Sequence, residues 1–423
     1  MSTRFSQFGE RFTRPTGALE LMSDLGAATS GKREYLLLGG GNPARIPEME
    51  QVFRREMARI VREPEEFARL AGFYSAPEGD LRFRAAIAML LERTYGWNVG
   101  PENVALTAGS QSAFFMLFNM LAGPAADGLQ RQILLPLTPE YIGYADVGVS
   151  PGMFRAYRPL IHELPDNFFK YGIDFGSIEV DESVAAICVS RPTNPTGNVL
   201  TQEELACLDE MARRAGVPLI LDSAYGPPFP DIQFVGAQPL WNGNTILCLS
   251  LSKIGLPAVR TGIVVASREI VSALGAMQSV TSLAPPSVGA VLAHSLVASG
   301  SILKLSRETV RPYYESRAQQ AVAWIREYFT DLPFRIHQPE GAFFLWLWFP
   351  GLPITSAELY GRLKARGVLV LSGHYFFPGL DGDWPHRHEC LRINYSQDPA
   401  TVEKGLKLIA VELRRALGKW GHS

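Results

Sequence analysis

The stretch Thr245-Ile-Leu-Cys-Leu-Ser-Leu-Ser-Lys253 is an apolar run, too short for a helix, that ends in an amine. It reads as a buried strand. An ammonium at the end of such a strand is costly unless it is paired or chemically used, because desolvation disfavours the charged form and leaves a free, nucleophilic amine. The plainer alternative is a lysine that emerges into solvent where the strand ends. The chain has eight lysines, and Lys253 is the sole one between Lys170 and Lys304, so the rest of the sequence has to decide.

Working outward, short β-branched runs alternate with helical patterns. The expected strands are Val104–Thr107, Gln132–Leu135, Arg155–Arg158, Ala185–Val189, Pro218–Asp222, Thr245–Leu249 and Thr261–Ala266. Helix Gln202–Ala215 starts from an N-cap, Thr201, with Glu204 three residues on. This alternation predicts an α/β fold with a mostly parallel, seven-stranded sheet between helices, whose ligand sites lie beyond the carboxyl ends of the strands. After about residue 310 the texture changes. Long helices (Arg311–Tyr328, Ser356–Arg366, Pro399–Leu417) flank strand-like Phe343–Phe349, Val368–Leu371 and Glu389–Asn394. We therefore expect an N-terminal segment over residues 1–45 that joins the smaller unit, a large α/β domain over 46–310 and a small α+β domain over 311–423.

The bulk properties exclude several classes. Forty basic and 42 acidic residues leave a net charge of −2, interspersed along the chain, which argues against a nucleic-acid or membrane-binding face. The start, Met1-Ser-Thr-Arg-Phe-Ser-Gln-Phe, has no apolar core of signal-peptide length, and Phe343 to Phe349 is too short to span a bilayer. Cysteines 188, 207, 248 and 390 show no framework spacing and read as core residues in a reducing compartment. The expectation is a cytoplasmic protein.

Four strand ends carry unusual residues. Val217-Pro-Leu-Ile-Leu-Asp222 ends in a carboxylate, followed by Ser-Ala-Tyr225; alone, that aspartate suits a turn or cap. Ser190-Arg-Pro-Thr-Asn194-Pro-Thr-Gly197 is, alone, a tight loop. Lys253 is followed by Ile-Gly-Leu-Pro-Ala-Val-Arg260. Ala105-Leu-Thr-Ala-Gly109-Ser110-Gln111 is a strand, a glycine turn and a helix start whose free N–H groups suit an anion. Together they meet the needs of pyridoxal 5′-phosphate: an amine, a carboxylate for the ring nitrogen, donors for the phenolic oxygen and a phosphate cradle.

These motifs, with Gly39-Gly-Gly-Asn-Pro, Pro139-Glu-Tyr-Ile-Gly-Tyr, Glu340-Gly-Ala-Phe-Phe and Gly373-His-Tyr-Phe-Phe-Pro-Gly-Leu, resemble the fold-type I, class I/II aminotransferases, and the likeness runs from Leu38 to Asn394. The resemblance implies that Lys253 forms the Schiff base and shuttles a proton, that Asp222 pairs with the ring nitrogen, and that Asn194 and Tyr225 bond the phenolic oxygen. It implies that Gly109, Ser110, Gln111, Ser250 and Arg260 hold the phosphate and that Tyr141 stacks on the ring. Arg392, Asn194 and the backbone of Gly41 match the groups that receive the substrate carboxylate. Tyr74, in Tyr-Ser-Ala-Pro-Glu-Gly, matches a tyrosine that reaches the phosphate from a partner subunit, which implies a homodimer. Lys253 to Arg260 is one residue shorter than in many members. The implied reaction moves an amino group between a small aliphatic amino acid, valine foremost, and pyruvate, by ping-pong kinetics. Tyr141, the Phe376-Phe377 pair and Leu283 suit an aliphatic side chain, while Arg191 is a stray cation nearby.

Rival readings are weaker. Ser250-Leu-Ser-Lys253 fits a serine acyl-enzyme pattern, but its Ser-Asp-Asn and Lys-Thr-Gly partners are missing from the sequence. Gly39-Gly-Gly-Asn-Pro-Ala44 fits a dinucleotide fingerprint without the expected βαβ unit. His386-Arg-His388-Glu-Cys390 suggests a metal site, yet reads better as a loop feeding the Arg392 strand, so no metal is expected. A cofactor-binding regulator would need a DNA-binding module, for which the segment before Gly39 leaves no room. Other aminotransferase specificities (alanine, 2-aminobutyrate, aromatic) and a carbon–sulfur lyase on the same scaffold stay open.

Overall fold

The computed structural model describes residues 3–29 and 35–418. Its main sheet runs, in spatial order, Val104–Thr107, Gly262–Val265, Thr245–Ser250, Leu219–Asp222, Val184–Ser190 and Gln130–Leu135, with Phe154–Ala156 pairing on the last. These are the seven expected strands. The two-residue piece Gly123–Pro124 adds an antiparallel eighth. All neighbours from Thr245–Ser250 to Phe154–Ala156 are parallel; only Gly262–Val265 runs against both of its partners.

The strands were legible because both of their faces are covered. Ile187, Val189, Leu219, Leu221, Leu247 and Leu249 join one core cluster, whereas Ala186, Cys188, Ile220, Ile246 and Cys248 join another across the sheet. Period-two alternation thus sends an apolar residue into a core at every step. Cys188 and Cys248 are free thiols inside this second core. Helix Gln202–Ala215 begins at the Thr201 capping box with Glu204, as its sequence spacing requires.

A second sheet of six strands has the order Leu371–Ser372, Cys390–Asn394, Phe344–Trp348, Arg335–His337, Phe168–Gly172 and Leu160–Glu163. The hairpin of the last two lies in the middle of the span expected as the large domain, 46–310, yet Ile336 and His337 register with Phe168 and Phe169. Sequence reading missed it because its pairing partner is far away along the chain. Val368–Leu371, read as one strand, is two short pieces, of which Val368–Leu369 pairs in parallel with Leu36–Leu37 near the N-terminus. Helix Gly17–Thr29 docks beside them through Asp24 and the Lys364 ammonium, 2.7 Å apart. Among the described residues no single helix is long and apolar enough to cross a membrane.

Register then positions the chemistry. Ser190 and Asp222 are register partners, as are Asp222 and Cys248. The loop carrying Asn194, the Asp222 carboxylate and Lys253 therefore leave the sheet side by side at its carboxyl edge.

Candidate active site

Lys253 does not emerge into solvent. Its Nζ donates to the Gly41 carbonyl at 2.9 Å and lies 5.3 Å from the centroid of the Tyr225 ring and 5.4 Å from that of Phe343. Burial lowers its pKa from the ordinary 10.5 to about 8; the Arg392 and Arg260 guanidinium groups push the same way, and Asp222 opposes them. More of this amine is free base at neutral pH than in an ordinary lysine. A cavity of about 100 Å³ lies beside it, walled by Ile46, Met49, Phe53, Ile254 and Tyr314 among others.

Asp222 is 7% exposed. One carboxylate oxygen accepts from the Tyr144 hydroxyl at 2.7 Å and the other from the Ala224 N–H at 3.0 Å. Burial raises its pKa, while Tyr144, Ala224 and Lys253 restrain the rise. A cation placed against this carboxylate would favour its ionised form. Tyr144 ends the Pro139–Tyr144 string, and its role escaped the sequence reading. It stands three residues after Tyr141 across a short 3-10 turn, and the two rings meet edge to face at 5.4 Å.

Arg392 is 1% exposed. It donates from Nη1 to Asn194 Oδ1 at 2.7 Å and from Nη2 to the Gly39 carbonyl at 2.6 Å. Its guanidinium lies 4.1 Å over the Phe344 ring and 5.2 Å from Phe376. The buried Nε has no hydrogen-bond partner among the described residues, and an arginine in that state is poised for an anion. Arg392 and Lys253 thus grip two ends of one turn, Gly39 to Gly41. Asn394, also unforeseen, holds its middle, donating from Nδ2 to the Gly40 carbonyl at 2.6 Å.

The third corner is the start of helix Ser110–Leu121. Gly109 adopts φ +86°, so glycine is required by conformation, and a Cβ there would stand 2.1 Å from Arg260 Nη2 and push the guanidinium aside. Ser110 Oγ donates to the Leu249 carbonyl at 3.2 Å and Gln111 Nε2 to the Gly143 carbonyl at 2.7 Å. Ser250 Oγ accepts from the Ser252 N–H at 3.1 Å, and Arg260 donates to Ser252 Oγ at 3.2 Å. The shortened Lys253–Arg260 loop still returns the arginine to this corner, with Arg260 itself at φ +47°. The corner offers N–H groups at a helix start, small hydroxyls and a guanidinium beside a glycine. That donor set fits a phosphate, and with the amine and the Asp222 carboxylate it fits pyridoxal 5′-phosphate.

Tyr225 is 4% exposed and meets Phe343 edge to face at 5.1 Å; burial raises its phenol pKa, with Arg392 opposing. Three sequence-noted residues stand apart from the site. Tyr74 is 85% exposed and Leu283 62%, so neither lines the pocket of a single subunit. Arg191 is buried but turned away, with Nε and Nη1 on the carbonyls of Leu200 and Gln238 at 2.9 and 2.7 Å. His386 is buried against the Tyr171 hydroxyl, and His388 faces Asp383 at 3.4 Å. Among the described residues no cluster of His, Cys, Asp and Glu could hold a metal ion.

Comparison with known proteins matches residues 51–409 to the family model of aminotransferase class I and II. The chain is 48% identical over 421 residues, 99% of each protein, to valine–pyruvate aminotransferase of Escherichia coli K12. The crystal structure of valine–pyruvate aminotransferase from Salmonella typhimurium LT2 superposes with a TM-score of 0.88 at 47% identity, covering 96% of this chain and all of that one. Kynurenine aminotransferase of Pyrococcus horikoshii, solved in complex with PMP, shares the fold with a TM-score of 0.77 at 20% identity, covering 98% and 97% of the two chains.

Proposed function

This chain belongs to the aminotransferase class I and II family, and on that premise we propose that it is a pyridoxal-phosphate enzyme that transfers the amino group of L-valine, or a similar small aliphatic amino acid, to pyruvate, giving 3-methyl-2-oxobutanoate and L-alanine. One observation carries the reading: the Lys253 amine and the Nη2 of buried Arg392 converge on the same Gly39–Gly41 segment, and the arginine keeps an unpartnered Nε. An amine and a carboxylate clamp at that spacing are what an α-amino acid presents itself to.

The chemistry supplied by the bound cofactor is an aldehyde that takes up the amino group and a ring that draws off electrons from the α-carbon. The residues do the rest. Lys253 would hold the cofactor and then move a proton from the substrate α-carbon, acting first as base and then as acid. Its lowered pKa keeps it competent in both roles near neutrality. Asp222, pinned by Tyr144, would keep the ring nitrogen protonated, and Asn194 and Tyr225 would bond the phenolic oxygen. Gly109, Ser110, Gln111, Ser250 and Arg260 would cradle the phosphate, with Tyr141 across the ring face. Arg392, with the Gly41 backbone and Asn194, would receive the substrate carboxylate. The apolar wall beside Lys253 suits a branched aliphatic side chain. Such a wall separates substrates differing by one methylene by only ~1–3 kcal/mol, so alanine and 2-aminobutyrate should also react.

The same reading assigns a cytoplasmic homodimer, in which exposed Tyr74 completes the phosphate site of the partner. It also divides the chain near residue 310 into a large cofactor unit and a small unit that takes in the N-terminal segment, with the hairpin Leu160–Gly172 crossing from the first span to the sheet of the second. Its test is borohydride reduction followed by peptide mapping, together with an assay of valine and pyruvate. The label belongs on Lys253, and alanine should form. A label on another lysine, or ammonia released without alanine, would overturn it.

A further inference from the structure

Glu140 is a carboxyl with no solvent exposure that the mechanism above leaves unused. Oε1 accepts from the Ser190 N–H at 2.8 Å; Oε2 contacts the Ser190 hydroxyl and accepts from the Tyr141 N–H at 3.3 Å. Ser190 ends the strand Val184–Ser190, and its carbonyl accepts from Thr193 Oγ1 at 2.8 Å, one residue before Asn194. The Glu140 backbone N–H reaches the Phe376 carbonyl at 2.8 Å, and Phe376 lies under the Arg392 guanidinium. One residue therefore touches three segments of the site: the turn bearing Tyr141, the loop bearing Asn194 and the aromatic floor of Arg392.

A buried carboxyl is costly, and a sequence free to vary would replace it by an apolar group unless its hydrogen bonds are needed. Burial pushes the Glu140 pKa up to about 8, the donors from Ser190 pull it down, and nearby Asp222 raises it again. Tyr141, Tyr144 and Cys188 are the other titratable groups around it. An uncharged carboxyl at neutral pH spares Asp222 a second negative charge. It also keeps the acceptor for the Tyr141 N–H.

We propose that Glu140 is a positioning residue for transamination: its carboxyl clips the Tyr141 turn to the end of the Val184–Ser190 strand, and so sets the stacking ring and the Asn194 loop in one fixed relation. The proposal rests on the cofactor site read above. Glutamine keeps the shape and the Ser190 contacts and loses only the acceptor for the Tyr141 N–H. Alanine loses all three contacts, and aspartate retracts the carboxyl from them.

The test uses enzyme stripped of cofactor and titrated with pyridoxal phosphate, read by the bound chromophore and its pH titration. Amide exchange across residues 190–198 is followed in the stripped protein. Glu140→Ala and Glu140→Asp should bind the cofactor at least about tenfold more weakly, the equivalent of ~1.4 kcal/mol, with faster exchange in that loop. Glu140→Gln should stay within about threefold of the parent. Wild-type affinity and exchange in Glu140→Ala would overturn the proposal, and so would equal impairment of the Ala and Gln variants, because glutamine keeps the Ser190 contacts that make the clip. If Glu140→Ala does not fold, Glu140→Asp decides by the same criteria. A borohydride label away from Lys253 in the parent enzyme would instead sink the cofactor site itself, so the two failures are distinguishable.

Discussion

At the scale of single residues, the site works through groups held away from their ordinary protonation. In the cofactor-free protein the unprotonated amine of Lys253 is the form that attacks the cofactor aldehyde, and its pKa near 8 predicts that uptake of pyridoxal phosphate quickens with pH and levels off above about 8, as stopped-flow absorbance would show. The same depression governs the stability of the cofactor-free protein. Between pH 8 and 10.5 the unfolded chain holds a proton on this lysine that the folded chain has released, so this lysine's contribution grows as pH rises and is lost as pH falls through 8. Replacing Lys253 with Met, an apolar residue of similar length, should therefore raise Tm at neutral pH, and the gain should shrink toward pH 10.5. Lys253→Ala should lose both the chromophore and transamination. Arg392→Lys keeps a charge but not the fork, and leaves Asn194 Oδ1 and the Gly39 carbonyl short of a donor. The loss of ~1.5–3 kcal/mol for a charged hydrogen bond predicts a fall of roughly 10–150-fold in kcat/KM, measurable by steady-state kinetics with both substrates.

At the scale of elements, the strands that carry the chemistry were readable because each is an unbroken apolar run with a polar residue at its carboxyl end. Val104–Thr107, helix Gln202–Ala215 and helix Arg311–Tyr328 fall where their patterns place them. The residues that brace the site were not readable. Tyr144, Glu140 and Asn394 have nothing unusual about their local sequence; their importance comes from partners on other elements, Asp222, Ser190 and the Gly40 carbonyl. The hairpin Leu160–Gly172 was missed for the same reason, since its own alternation is weak and Arg335–His337 completes it. The element most exposed to a single change is the helix start at Gly109. Gly109→Ala places a methyl against Arg260 at a backbone angle that disfavours it. We expect a loss of cofactor affinity of about tenfold or more, by titration, with a cost to stability of about 1 kcal/mol or more from strain.

At the scale of the whole molecule, Phe73, Tyr74, Val280 and Leu283 are large apolar side chains left exposed, and the proposed dimer would cover Tyr74. If Tyr74 completes a neighbour's phosphate site, then Tyr74→Phe should weaken cofactor binding and leave Tm of the cofactor-free protein unchanged. Dilution below the dimer dissociation constant should weaken binding in the parent enzyme as well; sedimentation with parallel cofactor titration checks both. The route of the chain adds a constraint on its manufacture. The hairpin Leu160–Gly172 finds its sheet partner only at Arg335–His337, and Leu36–Leu37 finds its own only at Val368–Leu369. At a ribosome adding ~5–20 residues per second, the hairpin waits roughly 10–30 s for the strand that will flank it, with Phe169 and Tyr171 uncovered meanwhile. A nascent chain of this protein should therefore carry uncovered apolar surface through more than a third of its synthesis, long before it is an enzyme.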